Sequence, residues 1–304
     1  MDEEHTQEQI KETVREHYGA AARRYVDVAG GGSCGCTPAP RAPAQSCCCT
    51  PAPQAPAGSC CCAPAQGQAA PEGAARLYSA EDLAGLPESV TEISLGCGNP
   101  IALAELKPGE VVLDLGSGGG IDCFLAAQQV GPAGRVIGLD MTPEMLKLAR
   151  RNARQMGVTN VHFEWGEMEE IPLPDQSVDV ILSNCVINLS PDKDAVFHEA
   201  YRVLRPGGRM SISDIVIDGQ LPAAIRRRLD AWAGCLAGAL DEGDYLAKIR
   251  AAGFEQVEVI SRDYGSFDDD SGELAALLAE AGLTAHDMER KVASVKVRAV
   301  KSDG

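Results

Sequence analysis

The sequence is short of basic residues, and it lacks any segment typical of a membrane anchor or a secretion signal. Its 27 Lys and Arg residues stand against 44 Asp and Glu residues, which gives a formal net charge of −17 over 304 residues. Nucleic acids and anionic membranes attract basic surfaces, so neither is an expected partner. No apolar run approaches the roughly 18 residues of a spanning helix, and the acidic N-terminus has no hydrophobic signal core. We therefore expect a soluble, cytoplasmic protein.

Spaced cysteine pairs are also absent, although cysteine itself is abundant. None of the twelve cysteines forms a Cys-x-x-Cys pair, the spacing typical of structural zinc sites. In a reducing cytoplasm a disulfide framework is not expected either. The thiols are more consistent with metal binding or redox chemistry of another kind. Aromatic residues make up only 4% of the chain, but a hydrophobic content of 45% is sufficient for a core.

Eight of the cysteines lie in a low-complexity segment, residues 29–75, that is rich in Pro, Ala and Gly. Three copies of one unit begin at Ser33, Ser46 and Ser59, each 13 residues after the last. A segment of this composition cannot bury a core, so we predict a mobile, partly polyproline linker. The extra copies are either a duplication without function or a reserve of thiols, of which we expect at least one to function. A helix is predicted before the linker, over residues 4–26, either packed on the body or acting as a lid.

The middle of the chain has the pattern of a site for a nucleoside-containing cofactor. An apolar strand ends at Asp114, a glycine loop spans 116–120, and a helix is predicted over 121–130; a second strand, 135–139, ends at Asp140. In such a βαβ unit the glycines allow close approach to a ligand, and the helix presents free N–H groups. The acidic residue after the second strand can bind ribose hydroxyls. The pattern predicts an α/β fold with a mostly parallel sheet.

The glycine loop narrows the choice of cofactor. A P-loop is excluded because no Gly-Lys-Ser/Thr ends the loop, and the dinucleotide motif Gly-x-Gly-x-x-Gly is not matched. Asp114-x-Gly-x-Gly-x-Gly followed by a lone Asp140 resembles the S-adenosylmethionine site of Rossmann-like methyltransferases. A βαβ unit without a ligand is the alternative.

That resemblance implies a set of cofactor-binding residues. Asp114 and the glycine loop would face the methionine and ribose portion, Asp140 the ribose hydroxyls, and Glu167 with Met168 the adenine. The implied set is Asp114, Gly116, Ser117, Gly118, Asp140, Met141, Glu167, Met168 and Asn184.

Three cysteines outside the linker lie where they can converge over the methyl group of that cofactor. Cys97 is in a glycine-rich turn, Cys185 follows the fourth strand, and Cys235 lies near the end of a helix predicted over 222–240. Ligands of open parallel sheets bind at the carboxyl ends of the strands, which directs Cys185 toward the reaction zone. An inert buried cysteine is the alternative there. Three thiolates suit a soft, thiophilic centre such as trivalent arsenic, whose lone pair can take a methyl group without loss of a proton.

Several motifs together resemble an arsenite S-adenosylmethionine methyltransferase over roughly residues 76–260 and the VREHYG helix. They are SLGCGNP, DLGSGGGIDCFLAAQQVGPAGRVIGLDMTPEM, SNCVINLSPDK and WAGCLAGAL. The resemblance implies that Cys97, Cys185 and Cys235 bind As(III). It also implies that a more N-terminal cysteine acts in a redox step, because methylation formally oxidises arsenic and a thiol pair can return two electrons by forming a disulfide. The candidates are Cys60, Cys61 and Cys62, in the copy of the repeat that lies nearest the body.

The resemblance sets the remaining expectations. We expect an N-terminal helix (1–28), the linker (29–75), an S-adenosylmethionine-binding domain (76–217) and a C-terminal substrate-binding region (218–304). The expected partners are arsenite or its thiol conjugates and a reductant of the glutathione or thioredoxin type, with a monomeric protein acting in arsenic detoxification. Two alternatives stay open: a carbon methyltransferase of the quinone-biosynthesis type, and a non-catalytic metalloid-binding protein.

Overall fold

The computed structural model describes most of the chain outside the linker. The described residues are 5–27, 74, 77–93, 96–219, 238–264, 279 and 291–303. The linker thiols, including Cys61 and Cys62, and the predicted helix that carries Cys235 lie outside them.

The described strands form one seven-stranded sheet. Its order is β3-β2-β1-β4-β5-β7-β6, in which the pairings among β1 to β5 are parallel and β7 runs antiparallel to both β5 and β6. The strands are β1 (Val111–Leu115), β2 (Arg135–Asp140), β3 (Val161–Trp165), β4 (Val178–Asn184), β5 (Leu204–Ile217), β6 (Glu255–Asp263) and β7 (Val292–Val300). The predicted α/β class with a mostly parallel sheet is confirmed.

The helices pack on the two faces of this sheet, which explains why the central strands are apolar on both sides. They are α1 (Gln7–Asp27), α2 (Ala80–Leu83), α3 (Glu88–Thr91), α4 (Ile101–Ala104), α5 (Ile121–Val130), α6 (Pro143–Met156), α7 (Lys193–Val203) and α8 (Glu242–Ala251), with a 3-10 helix at Ile187–Leu189. On one face Phe124 of α5 packs against Phe163 of β3. On the other, Phe197 of α7 packs against Tyr245 of α8.

The order of the strands positions the functional site. The chain moves outward from β1 through β2 to β3, then returns to the other side of β1 with β4 and continues to β5. Where the direction reverses, between β1 and β4, the loops at the carboxyl ends of the strands diverge and leave a crevice. Asp114, Asp140 and Asn184 all lie at or next to this end of their strands.

The N-terminal helix α1 is docked on the body. Its buried side chains Ile10, Val14 and Ala22 recur at helical spacing, as expected for one apolar face. The helix packs on α6 and reaches the 3-10 helix beside the crevice. It therefore packs on the body beside the crevice, and the role of a lid over the cofactor stays a prediction.

The C-terminal part of the chain contributes the last two strands of the same sheet. Strand β7 inserts between β5 and β6, and nine residue pairs join β5 to β7. The division at residue 217 between a cofactor domain and a substrate region stays a prediction. Within the described residues, no helix combines the length and the apolar character that crossing a membrane would require.

Candidate active site

A cavity with an empty volume of about 1020 Å³, partly open to solvent, lies at the carboxyl ends of β1, β2 and β4. Helix α1 lines its outer side with Lys11, Val14 and Tyr18. Of the predicted site residues, the cavity lining includes Asp114, Gly116, Ser117, Gly118, Asp140, Met141, Met168, Asn184 and Cys185.

The glycine loop after β1 has a backbone that few other residues could adopt. Gly116 and Gly118 have φ angles of +64° and +51°, in the left-handed region. A Cβ atom on Gly116 would lie 2.6 Å from a methyl carbon of Val186, whereas one on Gly118 would meet no atom within 4 Å. On one side the loop therefore packs tightly against Val186, which lies just after β4. On the cavity side, Gly118 faces open space.

Asp140 fixes this loop to the end of β2. Its carboxylate accepts one hydrogen bond from the Gly118 N–H and one from the Thr142 N–H, both at 2.8 Å. Burial raises the pKa of Asp140, and these two hydrogen bonds oppose that shift. A carboxylate has about four acceptor positions, so two remain for the hydroxyl groups of a ribose.

The cavity contains a buried polar atom that has no partner in the described part of the chain. The Ser117 hydroxyl oxygen is buried and forms no hydrogen bond there. Such an atom costs free energy unless a ligand or water satisfies it. Together with the open space beside Gly118, it fits a polar cofactor seated against the glycine loop.

Two more carboxyl groups lie deep in the cavity. Burial and the neighbouring Asp122 raise the pKa of Asp114 well above its ordinary value, and Cys123 donates to Asp114 at 3.2 Å. Burial also raises the pKa of Asp122 to about 6, although hydrogen bonds from Asn184 (3.1 Å) and Tyr78 (2.8 Å) oppose the shift. A positively charged ligand would relieve this crowding of acidic groups, so the electrostatics favour a cationic cofactor.

Asn184, at the end of β4, holds the Cys97 turn against the sheet. Its Oδ1 atom accepts from the N–H groups of Cys97 (3.2 Å) and Gly98 (3.3 Å). Its amide nitrogen donates to the Gly98 carbonyl and the Tyr78 hydroxyl, both at 2.9 Å. Asn184 was predicted as a cofactor residue; it lines the cavity and also positions a predicted thiol.

Glycines on both sides of Cys97 permit this close approach. A Cβ on Gly96 would lie 2.5 Å from the Asn184 amide nitrogen, and one on Gly98 would lie 1.9 Å from the Ser213 hydroxyl oxygen. From β7, Ser294 donates to the Cys97 carbonyl at 2.8 Å. The turn therefore rests on β4, β5 and β7 at once.

Cys185 has an unusual backbone for a residue with a side chain. Its φ angle is +61°, a left-handed conformation that costs about 1–2 kcal/mol for a non-glycine residue. A hydrogen bond from its N–H to the Ser213 carbonyl, at 2.7 Å, holds it there. Strain of this kind persists where the surrounding structure imposes it, commonly at functional sites. Here it turns a buried thiol toward the cavity.

The two thiols lie side by side, together with a carboxyl group that the sequence analysis did not select. The sulfurs of Cys97 and Cys185 and a carboxylate oxygen of Asp214 all lie within 4.8 Å of one another. Asp214 is in β5 and fully buried. Burial raises the pKa of Asp214 to about 6. Hydrogen bonds from the Ile215 backbone and the Tyr245 hydroxyl oppose this shift.

The other predicted site residues either do not line the cavity or lie outside the described residues. Glu167 does not line the cavity; Lys11 and Arg15 of α1 form ion pairs with it. Cys235, Cys61 and Cys62 lie outside the described residues, so the roles implied for them stay predictions.

Sequence reasoning missed Tyr78, Asp122 and Asp214. Asp214 carries a weak signal, because it is one carboxyl group inside the apolar run of β5. Asp122 carries another, since it is the one charged residue in the apolar helix α5. Tyr78 has no local signal; it reaches Asp122 only through a contact between residues 44 positions apart.

Comparisons with known proteins agree with this geometry. A protein-family model described as a methyltransferase domain matches residues 106–281. An arsenite methyltransferase from Halobacterium salinarum is 51% identical over 192 residues, which is 63% of this chain and 49% of that protein. A demethylmenaquinone methyltransferase from Listeria welshimeri is 35% identical over 112 residues, 37% of this chain and 48% of that protein. The chain thus spans about half the length of the curated relatives it matches.

One solved structure matches this chain over a larger share of both chains than these curated relatives do. The crystal structure of an arsenic(III) S-adenosylmethionine methyltransferase from Chlamydomonas reinhardtii superposes with a TM-score of 0.63 at 39% sequence identity. The match covers 77% of this chain and 76% of that one.

The contact between Gly98 and Ser213 gives a test of how the Cys97 turn is positioned. In Gly98→Ala the new methyl group must displace the turn from β5, so we expect faster alkylation of Cys97 and a loss of about 1–3 kcal/mol in unfolding free energy. Adding Ser213→Gly removes the clashing atoms and should restore both values. Alkylation followed by peptide mass spectrometry, with urea unfolding, measures them. An unchanged Gly98→Ala protein would show that the close approach is not required.

The raised pKa of Asp122 predicts a pH dependence of stability. The folded protein keeps a proton on this group up to about pH 6, whereas the unfolded chain releases it near pH 4. The contribution of Asp122 to the unfolding free energy is therefore fully present below pH 4 and is lost as the pH rises through 6. Relative to the native protein, Asp122→Asn should gain on the order of 2 kcal/mol between pH 4 and pH 7. Urea unfolding across this range measures the difference.

The matched control is Asp263→Asn, which makes the same chemical change at an exposed side chain at the end of β6. It shows what the change from carboxyl to amide does by itself to the unfolding free energy. A pH-independent difference between Asp122→Asn and the native protein would contradict the assignment.

Proposed function

Because the chain belongs to the arsenic(III) S-adenosylmethionine methyltransferase family, we propose that it methylates trivalent arsenic with S-adenosylmethionine as the methyl donor. The observation that carries this proposal is a pair of thiols beside the glycine loop and its acidic residues. Cys185 lines the cavity, and the sulfur of Cys97 lies within 4.8 Å of the Cys185 sulfur. Soft sulfur ligands are the ligands that a thiophilic substrate needs.

S-adenosylmethionine, the cofactor of this family, supplies an electrophilic methyl group that the lone pair of trivalent arsenic can take without proton removal. We propose that Gly118, Ser117 and Asp140 hold its ribose portion and that Asp114 faces its methionine portion. Met141 and Met168 add an apolar surface to the same cavity, suited to an adenine ring. The buried carboxyl groups complement the positive charge of the cofactor.

Cys97 and Cys185 bind the arsenic in this proposal, with Cys235 as the third thiol. Their contribution is mainly positioning, since a reacting atom held in place by the protein no longer has to be captured from solution. The strained backbone of Cys185 and the hydrogen bonds from the Cys97 turn to Asn184 fix the two sulfurs relative to the glycine loop.

Helix α1 excludes water from the reaction zone. Val14 packs with Cys185 and Leu189 in one small apolar cluster beside the thiols. Lys11, one turn earlier, forms ion pairs with Glu167 and Glu169 and so fastens the helix across the cavity. We infer that α1 acts as the cover of the site.

A redox step completes the proposed cycle. We propose that a thiol pair from Cys60, Cys61 and Cys62 returns two electrons to the methylated arsenic by forming a disulfide, which a glutathione or thioredoxin-type reductant then opens. The biological role would be arsenic detoxification by a cytoplasmic monomer. A quinone-type carbon methyltransferase is less well supported, since two thiols beside the cofactor have no use in that reaction.

Loss of either described thiol should separate catalysis from cofactor binding. We expect Cys97→Ser and Cys185→Ser to form no methylated arsenic from arsenite, because a hydroxyl group is a poor ligand for As(III). Cys34→Ser, which changes one thiol of the first repeat, is the matched control and should keep its activity. Speciation chromatography measures the product, and calorimetry measures the affinity for S-adenosylmethionine, which should stay unchanged. Native turnover by Cys185→Ser would remove this residue from the mechanism.

The three copies of the repeat predict redundancy in the redox step. A chain that lacks residues 33–58 should retain multiple turnovers, because Cys60 to Cys62 remain. Serine replacement of those three cysteines in the shortened chain should limit it to a single turnover, as the oxidised product is no longer reduced. Methylated arsenic per enzyme, counted at a fixed reductant concentration, distinguishes the two. Full turnover by the second protein would exclude a redox role for the linker.

A further inference from the structure

The thiol pair has a third neighbour whose chemistry the proposed reaction does not use. Asp214 presents a carboxylate oxygen within 4.8 Å of the sulfurs of both Cys97 and Cys185. The three groups come from a turn before α4, the end of β4 and the middle of β5, which the sheet brings together. Two sulfurs and one oxygen therefore converge on one small space.

Neighbouring groups orient the Asp214 carboxylate. The Tyr245 hydroxyl donates to its Oδ2 atom at 3.0 Å, and the Ile215 N–H donates to its Oδ1 atom at 2.9 Å. The Asn188 backbone N–H also donates to this carboxyl group, so about one of its four acceptor positions remains for a further ligand. Hydrogen bonds that orient a carboxylate without using all its lone pairs are the usual surroundings of a metal-binding Asp.

The donor set fits one class of ion. Zn²⁺ binds thiolate sulfur at about 2.3 Å and carboxylate oxygen at about 2.0–2.2 Å in a tetrahedron, so neighbouring donor atoms lie roughly 3.4–3.8 Å apart. The three donors here already lie within 4.8 Å of one another, and small side-chain rotations close the difference. Ca²⁺ and Mg²⁺ do not fit, because they prefer oxygen ligands throughout.

We propose that Cys97, Cys185 and Asp214 form a binding site for a thiophilic divalent cation of the zinc class. Three protein ligands leave the fourth tetrahedral position open. The site shares both described thiols with the arsenic site, so, on the premise of the proposed function, a bound cation excludes arsenic and inhibits methylation.

The test uses Zn²⁺ alone, on the reduced full-length chain, without arsenite or S-adenosylmethionine. A chelator buffer sets the free Zn²⁺ concentration, so that metal bound by the linker thiols does not alter it. The readout is the alkylation rate of Cys97, followed by peptide mass spectrometry. We expect Zn²⁺ to slow this alkylation in the native protein, since a metal-bound thiolate is a poor nucleophile.

Variants at position 214 separate ligation from structure. In Asp214→Asn the free Zn²⁺ concentration for half-protection of Cys97 should rise about tenfold or more. In Asp214→Cys, where a sulfur replaces the oxygen ligand, the protection should return. The matched control is Asp194→Asn, which removes the same charge from an exposed side chain of α7 and should behave as the native protein. Cys123, fully buried in the core, reports folding, because only an unfolded chain exposes it to the reagent.

Two results would overturn the proposal: a Cys97 alkylation rate in the native protein that does not respond to Zn²⁺, or equal protection in native and Asp214→Asn proteins. If Asp214→Asn exposes Cys123 and is therefore unfolded, Asp214→Cys decides, and a folded Asp214→Cys protein without protection also overturns the proposal. Arsenic methylation by a protein that fails this test would refute the cation site alone. Zn²⁺ protection in a protein that does not methylate arsenic would leave the cation site standing and refute the proposed function.

Discussion

The Asn184 side chain is the contact on which the rest of the site depends. One carboxamide at the end of β4 lies within hydrogen-bonding distance of five groups, from Tyr78, Cys97, Gly98 and Asp122. It therefore links the turn that carries one thiol to the acidic group behind the glycine loop. Because the next residue along the chain is Cys185, the same strand end also sets the second thiol. A buried hydrogen-bond network stabilises the fold only when each of its polar groups has a partner. The glycines on both sides of Cys97 let the turn approach Asn184 closely enough to form these hydrogen bonds.

The site around Asn184 has two halves that differ in their chemistry. On the side of β1 and β2, buried carboxyl groups and the glycine loop complement a cationic, ribose-bearing cofactor. On the side of β4 and β5, two thiols and Asp214 form a small set of donors for a soft ion. Helix α1 lies along the outer side of the cavity, where Lys11 and Val14 are part of its lining. In the proposed reaction, the carboxyl ends of these strands and helix α1 bring the methyl donor and its thiophilic acceptor together.

Much of the cofactor half could be predicted from the sequence, because its signals are local. The predicted helix over 121–130 has the bounds of α5, and Asp114, Ser117 and Asp140 all line the cavity. The position of Cys185 followed from the rule for strand ends in parallel sheets. That Cys97 and Cys185 can converge was predicted from the glycine-rich turn and the strand end. The contacts that bring them together, of the Cys97 turn with Asn184 and Ser213, span more than 80 residues and could not be predicted. The weak local signal of Asp214 was not enough to predict its place in the site, because its surroundings depend on Tyr245, which lies in helix α8.

The central claim is that this site transfers a methyl group to arsenic, and a labelled-methyl assay tests it most directly. The native, reduced protein is mixed with arsenite, S-adenosylmethionine labelled in its methyl group, and a thiol reductant. The products are then separated by speciation chromatography. We expect the label to appear on arsenic. If the protein binds both arsenite and S-adenosylmethionine but the label stays on the cofactor, the site sequesters or senses arsenic and the account is contradicted.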